Sequence, residues 1–362
     1  MKLLKKYIYI SAILILSILS GYACSKPGAS AENTGARQNQ PEPGWVVWTK
    51  KSESIFNGQY PLVGDPSIIK DGGSYRMFYT CFDGFRSPQG PEICQALSSD
   101  GMTWDYALSG NSNLKGRVLA TGPKVWDDAH ETSFIFKYGL KYYLYFVGYV
   151  DKGGIFNSVP SAIGLAQSTD GINFTRLANP ILEGTPKGFD ADTITSPSIV
   201  DVGNGVLLMT YSGFCYQNCN NTVGPSLLGA TSTDGVKWTK LPQPLIKSSE
   251  IPWPNEGVAE SEIKRGPDGF YYLFMTVLQG KNPHQIGLAR SGSYYGPWNV
   301  NPKPILVSGG PGSFDELEVV APSVLFEQNK VRMWFHGHSK SSTLSIGYAE
   351  TAWPLFNSVE VH

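Results

Sequence analysis

The fold is decided by residues 196–238, which contain the runs "SPSIVDVGNGVLLMTYSG" (196–213) and "LLGATSTDGVKW" (227–238). The first run alternates apolar and polar residues on both sides of an Asn-Gly turn, which is typical of a β-hairpin. The second run ends in an Asp-Gly turn that an aromatic residue follows. Together they predict three or four short antiparallel strands and no long helix.

This pattern occurs five times along the chain. The other copies open with "DPSIIKDGGSYRMFYT", "ETSFIFKYGLKYYLYFVG", "ESEIKRGPDGFYYLFMT" and "APSVLFEQNKVRMWFHG". The opening residues, spaced by 66, 65, 64 and 61 positions, are Asp65, Glu131, Ser196, Glu260 and Ala321. Four-stranded units repeated around an axis form a β-propeller, whose closure protects the sheet edges. The sequence therefore predicts an all-β, five-bladed β-propeller with blades of four antiparallel strands.

Two further features fit this architecture. The run "GWVVWTK" (44–50) precedes the first copy, and we predict that it pairs with the last blade as its outer strand and locks the ring. The turns "SSDGMTW", "STDGINF" and "STDGVKW" resemble the Asp-box turns of sialidases but are one residue shorter. We assign them a structural role, because Asp caps a tight turn and Gly supplies its positive φ.

The composition excludes several classes of protein. The net charge of the 362-residue chain is −1, and its Lys and Arg residues are scattered, which gives no basis for binding nucleic acid. The 41% of apolar residues can bury a large core. We expect a monomer.

The chain begins with a targeting segment. Three lysines and a short apolar run lead to "SGYAC", so residues 1–24 resemble a bacterial lipoprotein signal with Cys24 as the lipid acceptor. Residues 25–43 are predicted to be a flexible tether, and residues 44–362 the propeller. We expect an exported cell-envelope lipoprotein on the outer membrane or cell surface, with only its lipid anchor in the membrane. An ordinary secretory signal, the alternative, would give a periplasmic or secreted protein.

The other four cysteines favour an oxidising compartment. Cys81 and Cys94 lie on two strands that flank one loop, and Cys215 and Cys219 lie within another loop. Two local disulfides would use every thiol. A zinc site built from all four is the alternative, but no Cys-x-x-Cys pair is present.

The opening residues of the repeats include three carboxylates. In a propeller the innermost strands begin near the axis, so Asp65, Glu131 and Glu260 are predicted to face one cavity. Carboxylates gathered at a partly dry site repel one another, and the pKa of at least one should rise. One protonated acid and one ionised carboxylate are the groups that hydrolysis of a glycosidic bond requires.

These motifs resemble those of the five-bladed propeller glycosidases, the superfamily that contains glycoside hydrolase families 43, 32 and 68. Family 43 is closest, because "GDPSII" matches its Asp-Pro motif and "VAESEI" its Ala-Glu motif. The resemblance implies that Asp65 is the general base and Glu260 the general acid, with inversion at the anomeric carbon. It also implies an oligo- or polysaccharide substrate and no required cofactor, and it is compatible with a structural Ca²⁺ ion.

One carboxylate that the resemblance to family 43 implies is missing from this sequence. The third family-43 carboxylate, an Asp that tunes and orients the acid, corresponds to Ser196. Either Asp190 or Asp192 could reach the same space, or Glu131 could serve from the second blade. We prefer Glu131, because it is itself an opening residue.

The predicted rim of the cavity supplies candidates for sugar contacts. They are Arg86, His284, His338 and Glu262, the last of which could instead pair with a nearby Lys or Arg. Two other functions stay open: a non-catalytic surface glycan-binding propeller, and a phosphorylase of the mannoside-acting type. The phosphorylase would need a basic cluster for phosphate.

Overall fold

A computed structural model describes most of the chain after the predicted tether. The described residues are 45–57, 60, 62–82, 90–107, 116–119, 126–152, 160–216, 223–341 and 344–356. Cys24, the predicted signal and the predicted tether lie outside them. Within these ranges the regular structure is β-strand apart from one 3-10 turn at Ser248–Glu250. None of the described helices has the length and apolar character needed to cross a membrane.

After the short strand β1 (Thr49–Lys50), the described strands form antiparallel units, which we number I to V. Unit I contains β2 (Leu62–Asp71), β3 (Ser74–Phe82), β4 (Glu92–Ser98) and β5 (Asp105–Tyr106), with β6 (Arg117–Leu119) beside β4. Unit II contains β7 (Ala129–Tyr138), β8 (Lys141–Tyr149), β9 (Ala162–Ser168) and β10 (Thr175–Arg176), with β11 (Leu182–Glu183) beside β9.

Unit III contains β12 (Thr193–Gly203), β13 (Val206–Cys215), β14 (Val223–Ser232) and β15 (Thr239–Lys240). Unit IV contains β16 (Gly257–Arg265), β17 (Tyr271–Leu278), β18 (Gln285–Ser291) and β19 (Asn299–Val300). Unit V contains β20 (Glu318–Glu327), β21 (Lys330–His338) and β22 (Leu344–Ala352), and β1 is its fourth strand. The predicted all-β fold of four-stranded antiparallel sheets is confirmed.

The first strands of the units are neighbours in cyclic order. Strand β2 contacts β7, β7 contacts β12, β12 contacts β16, β16 contacts β20, and β20 contacts β2. Strand β1 pairs with β22, with Thr49 opposite Glu350, as predicted for the closing strand. This cyclic order is that of a propeller.

The innermost strands are buried on both faces. Seven consecutive residues of β16 are buried, as are six of β2 and seven of β7. The alternation that the sequence predicts is therefore lost near the axis, because each sheet packs between two neighbours. Side chains that are polar at these positions need a partner or a function.

Each innermost strand contains a β-bulge at the same place. The residue at the bulge has a left-handed φ although it is not glycine: Asp65 (51°), Thr132 (45°), Ser196 (54°), Glu260 (44°) and Ala321 (49°). Such a conformation costs about 1–3 kcal/mol at a non-glycine residue and is common next to active sites. In unit II the equivalent residue is Thr132, so the predicted opening residue Glu131 lies one position too early.

The residues two positions after the bulge join neighbouring units. Hydroxyl oxygens of Ser67, Ser198 and Ser323 accept hydrogen bonds from the backbone N–H of Ile135, Ile263 and Ile68, at 3.0, 3.1 and 3.0 Å. In unit IV the same position holds Glu262, whose Oε2 accepts from the N–H of Val324. Glu262 thus takes the place of a serine in this series of bonds between units.

The predicted Asp turns join units at the periphery. In the turn of unit II, Asp170 Oδ1 accepts from the N–H groups of Ile172 and Asn173, both at 2.8 Å. The carbonyl of Gly171 in turn accepts from Gln95 of unit I at 2.8 Å. The other two turns are built alike, and Trp334 and Tyr145 donate to the carbonyls of Gly101 and Gly235.

Three buried aspartates before innermost strands hold the outer strand of their own unit. The pairs are Asp127 with Arg176 of β10 (2.6 Å), Asp190 with Lys240 of β15 (2.5 Å) and Asp315 with Lys50 of β1 (2.5 Å). Because β1 repeats the contact made by β10 and β15, it completes unit V as they complete units II and III.

Candidate active site

The bulges surround a narrow cavity on the axis. Its lining includes residues of every unit, among them Asp65, Thr132, Ser196, Glu260 and Ala321. The cavity volume is about 40 Å³, which is space for about three water molecules.

Asp65 is fixed by its surroundings. Its Oδ1 lies 3.5 Å from Nδ1 of His336, a fully buried residue of β21. A Cβ atom at Gly64 would lie 2.7 Å from the same Nδ1, so only glycine allows the imidazole to reach this position. The left-handed bulge then aims the carboxylate at the cavity, beside an imidazole.

Glu260 has the surroundings of a proton donor. Its side chain is 3% exposed, and Oε2 accepts a hydrogen bond from the Thr276 hydroxyl at 3.1 Å. Burial raises the pKa of Glu260 well above its usual range, and the negative charges of Asp65 and Glu318 raise it further. These effects favour the protonated form, which is the form a general acid must have before it acts.

Glu262 is as buried as Glu260, but both of its carboxylate oxygens have partners within the protein. Its Oε1 lies 2.5 Å from Lys264 Nζ, and its Oε2 holds the Val324 N–H. Burial raises the pKa of Glu262, and the charge and hydrogen bond of Lys264 oppose that shift. The structure therefore favours the lysine pairing over the predicted sugar contact.

Glu131 lies beside the cavity lining and close enough to Asp65 for their charges to interact. The Tyr149 hydroxyl donates a hydrogen bond to Glu131 Oε1. Burial raises the pKa of Glu131 to about 8, with the charges of Asp65 and Asp151 adding to the effect. Glu131 is therefore mainly neutral at pH 7, on the side of the site where Asp65 lies.

The two aspartates of unit III do not line the cavity. Asp190 accepts from Lys240 and from the Tyr211 hydroxyl, and Asp192 accepts from the Tyr216 N–H at 2.6 Å. Both side chains are thus engaged away from the described lining of the cavity.

His284 and His338 are buried around Glu318, where the sequence predicted sugar contacts. Glu318 Oε1 lies 3.4 Å from His338 Nδ1, and its Oε2 lies 3.8 Å from His284 Nε2. Sequence reasoning did not select Glu318, because it precedes the bulge residue Ala321 by three positions. An acidic residue in the buried start of an innermost strand is the signal that would have found it.

The predicted disulfides are partly described. Cys81 and Cys94 form a disulfide between β3 and β4, as predicted. Cys215 is also disulfide-bonded, and its predicted partner Cys219 lies outside the described residues, as does Arg86. Among the described residues, no group of three or more His, Cys, Asp or Glu side chains has the arrangement of a metal site.

Comparison with known proteins agrees with this geometry. The profile of glycosyl hydrolases family 43 matches residues 54–343. A solved glycoside hydrolase is similar over 83% of this chain and 92% of its own, with a TM-score of 0.66 and 16% identity. The endo-arabinase from Bacteroides thetaiotaomicron VPI-5482 is similar over 86% of this chain and 99% of its own (TM-score 0.59, 17% identity).

A third solved structure, a thermostable family-43 glycoside hydrolase, is similar over 85% of this chain and 98% of its own (TM-score 0.62, 16% identity). No curated protein sequence matches the chain. The profile covers well over half of the residues, and the propeller-type fold agrees with it. The chain belongs to glycosyl hydrolases family 43 and is a glycosidase.

Proposed function

We propose that this glycosidase hydrolyses arabinose-containing oligo- or polysaccharides outside the cytoplasm, with inversion at the anomeric carbon. Glu260 donates a proton to the leaving oxygen, and Asp65 removes a proton from the attacking water. The observation that carries these roles is that Asp65 and Glu260 occupy the same left-handed bulge in units I and IV and both line the axial cavity.

Water in the cavity can supply the nucleophile. The cavity has room for about three water molecules and is lined by both carboxyl groups. An inverting glycosidase needs such a water beside its base, while its acid is protonated. The raised pKa of Glu260 favours the second condition.

The choice of arabinose rests on the solved relatives and not on a described sugar contact. Two of the similar structures are an endo-arabinase and an α-L-arabinanase. Export rests on the Cys81–Cys94 disulfide, since such bonds persist in oxidising compartments. The described lining of the cavity contains no Lys or Arg that could bind phosphate, which disfavours the phosphorylase alternative.

The test compares wild-type protein with Glu260→Gln on arabinans, xylans, fructans and mannans, and on an aryl arabinofuranoside. We expect the wild type to release sugar from arabinan without added phosphate. Glu260→Gln should lose about 10²–10⁴-fold in rate on the polysaccharide. Its loss on the aryl glycoside should be much smaller, because a phenolate leaving group needs little protonation.

The anomer of the first product, followed by proton NMR, tests inversion. Equal losses on both substrates would show that Glu260 is not the acid. Binding of arabinan without hydrolysis by the wild type would instead indicate a glycan-binding propeller. Hydrolysis of another polysaccharide alone would overturn the choice of arabinose.

A further inference from the structure

The proposed acid, Glu260, must hold a proton before it can act, and its surroundings must favour that protonated form. A carboxyl group that stays protonated at neutral pH needs a dry site and, where other members of the family use an aspartate, a neighbouring negative charge. Unit III supplies only Ser196 at the equivalent bulge. Asp65, the proposed base, contributes part of that charge, and a second carboxylate beside the acid would add to it.

Glu131, the sequence-based candidate, does not fit this role. Its own pKa is raised to about 8 by burial, so it carries little charge at pH 7. Its neighbours are Tyr149, Asp65 and Asp151, on the side of the proposed base. The charges that act most strongly on Glu260 are those of Asp65 and Glu318.

Glu318 does fit. We propose that Glu318, held between His284 and His338, is the negatively charged positioning residue that keeps Glu260 protonated, in place of the carboxylate missing at Ser196. This inference rests on the proposed role of Glu260 as the acid. Glu318 touches no reacting atom and acts through Glu260.

The strand that carries Glu318 is fastened directly to the acid. The Ala321 N–H of β20 donates to the Thr276 Oγ1 at 3.0 Å, and the Thr276 hydroxyl donates to Glu260 Oε2 at 3.1 Å. The Val319 N–H donates to the backbone carbonyl of His284 at 3.3 Å. Glu318 therefore has a defined position relative to Glu260.

The two histidines keep Glu318 ionised. The backbone N–H of Gln279 donates to His284 Nδ1 at 3.0 Å, so the proton of the neutral ring is on Nε2, which points toward Glu318. Burial lowers the pKa of His284, which keeps this ring neutral at pH 7.

Burial alone would raise the pKa of Glu318, which is 4% exposed. The hydrogen bond with His338 and the electrostatic interactions with His284, His336 and His338 outweigh burial, so the pKa of Glu318 is lowered. Among the described residues, the titratable groups that act on Glu318 include these three histidines, and Glu318 in turn acts on Glu260. The net result is an anion in a buried place beside the acid.

The direct test is a titration that does not depend on activity. In protein labelled with ¹³C at the glutamate carboxyl carbon, the Glu260 resonance is the one that disappears in Glu260→Gln. We expect its titration midpoint to fall to lower pH in Glu318→Gln and to stay in place in Glu131→Gln. Glu327→Gln, which removes a charge from the other end of β20, is the matched control and should leave the midpoint unchanged.

An unchanged midpoint in Glu318→Gln would overturn the inference, as would an equal fall in Glu327→Gln. If Glu318→Gln fails to fold, His338→Gln replaces it: the midpoint of Glu318 should rise and that of Glu260 should fall. A risen Glu318 midpoint with no change at Glu260 would also overturn the proposal.

Activity provides the second readout. The alkaline limb of the kcat/KM profile should move to lower pH in Glu318→Gln, with the acidic limb and KM unchanged. If the wild type hydrolyses no glycan, the proposed function fails and the NMR titration still decides the role of Glu318. If hydrolysis occurs and the midpoint does not move, only this inference fails.

Discussion

Two sets of carboxyl groups in this protein have pKa values that are shifted in opposite directions. At the peripheral turns, backbone N–H groups hold the pKa of Asp100 near 2 and also lower that of Asp170. At the axis, burial and neighbouring charge raise the pKa of Glu260 and Glu131. The peripheral carboxylates stabilise the fold as anions, whereas the axial ones are costly to bury and useful in chemistry. The hydrogen-bond and charge partners of a carboxylate in the structure are therefore a better indicator of a catalytic role than the sequence motif around it.

The largest contrast is expected between Asp65 and Asp170. Asp65→Asn should reduce kcat on the best substrate by about 10²–10⁴-fold, because the amide cannot accept a proton from water. The unfolding midpoint should change little, because Asn is nearly isosteric and also tolerates a left-handed φ. Rate assays and urea unfolding on the same samples measure both effects.

Asp170→Asn is the matched control for Asp65→Asn. It should leave kcat within a few-fold of wild type and lower the unfolding midpoint, since the turn loses its charged acceptor. Full activity in Asp65→Asn would remove Asp65 from the reaction.

Glu131 should make stability depend on pH. The pKa of Glu131 in the folded protein is about 8, above the usual 4.5. The contribution of this group to the free energy of unfolding is therefore fully present below pH 4.5 and is lost as the pH rises through 8. In Glu131→Gln the side chain cannot ionise, so this loss of stability at higher pH does not occur. The variant should gain stability relative to wild type between pH 5 and pH 8, on the order of a few kcal/mol.

Urea unfolding of both proteins at pH 5 and pH 8 measures this difference. Other buried carboxyl groups contribute equally to the two proteins and cancel. A difference that does not change with pH would mean that Glu131 titrates normally.

The smallest effect should be seen at the periphery. Asp170→Ala removes the acceptor for two backbone N–H groups in an exposed turn, and we expect a loss of about 1–2 kcal/mol in the free energy of unfolding. Thermal unfolding compared with Asp105→Ala, an exposed aspartate on β5, isolates the turn. Equal midpoints for the two variants would contradict the structural role of the turn.

The sequence predicted the repeats, the closing strand and the places of Asp65 and Glu260, because these depend on periodicity and turn residues. The predicted opening residue of unit II was wrong by one position, because the bulge residue is Thr132 and not Glu131. A bulge shifts the side-chain direction by one position, and spacing alone does not reveal which residue it contains.

The group around Glu318 was beyond sequence reasoning for another reason. Its histidines come from the segment before β18 and from β21, and only the packing of units IV and V brings them together. Glu262 shows the reverse case. It looked like a second site residue beside Glu260, but its position in unit IV is that of the serines that join units.

The comparison of Glu260→Gln with Glu262→Gln tests the central claim most directly, because the two residues share β16, burial and chemistry and differ in their partners. Steady-state rates and urea unfolding midpoints would be measured for both variants. We predict that Glu260→Gln loses about 10²–10⁴-fold in rate and keeps its stability, whereas Glu262→Gln keeps its rate within a few-fold and unfolds at lower urea. The reverse result, with a folded but inactive Glu262→Gln and an active Glu260→Gln, would contradict the account.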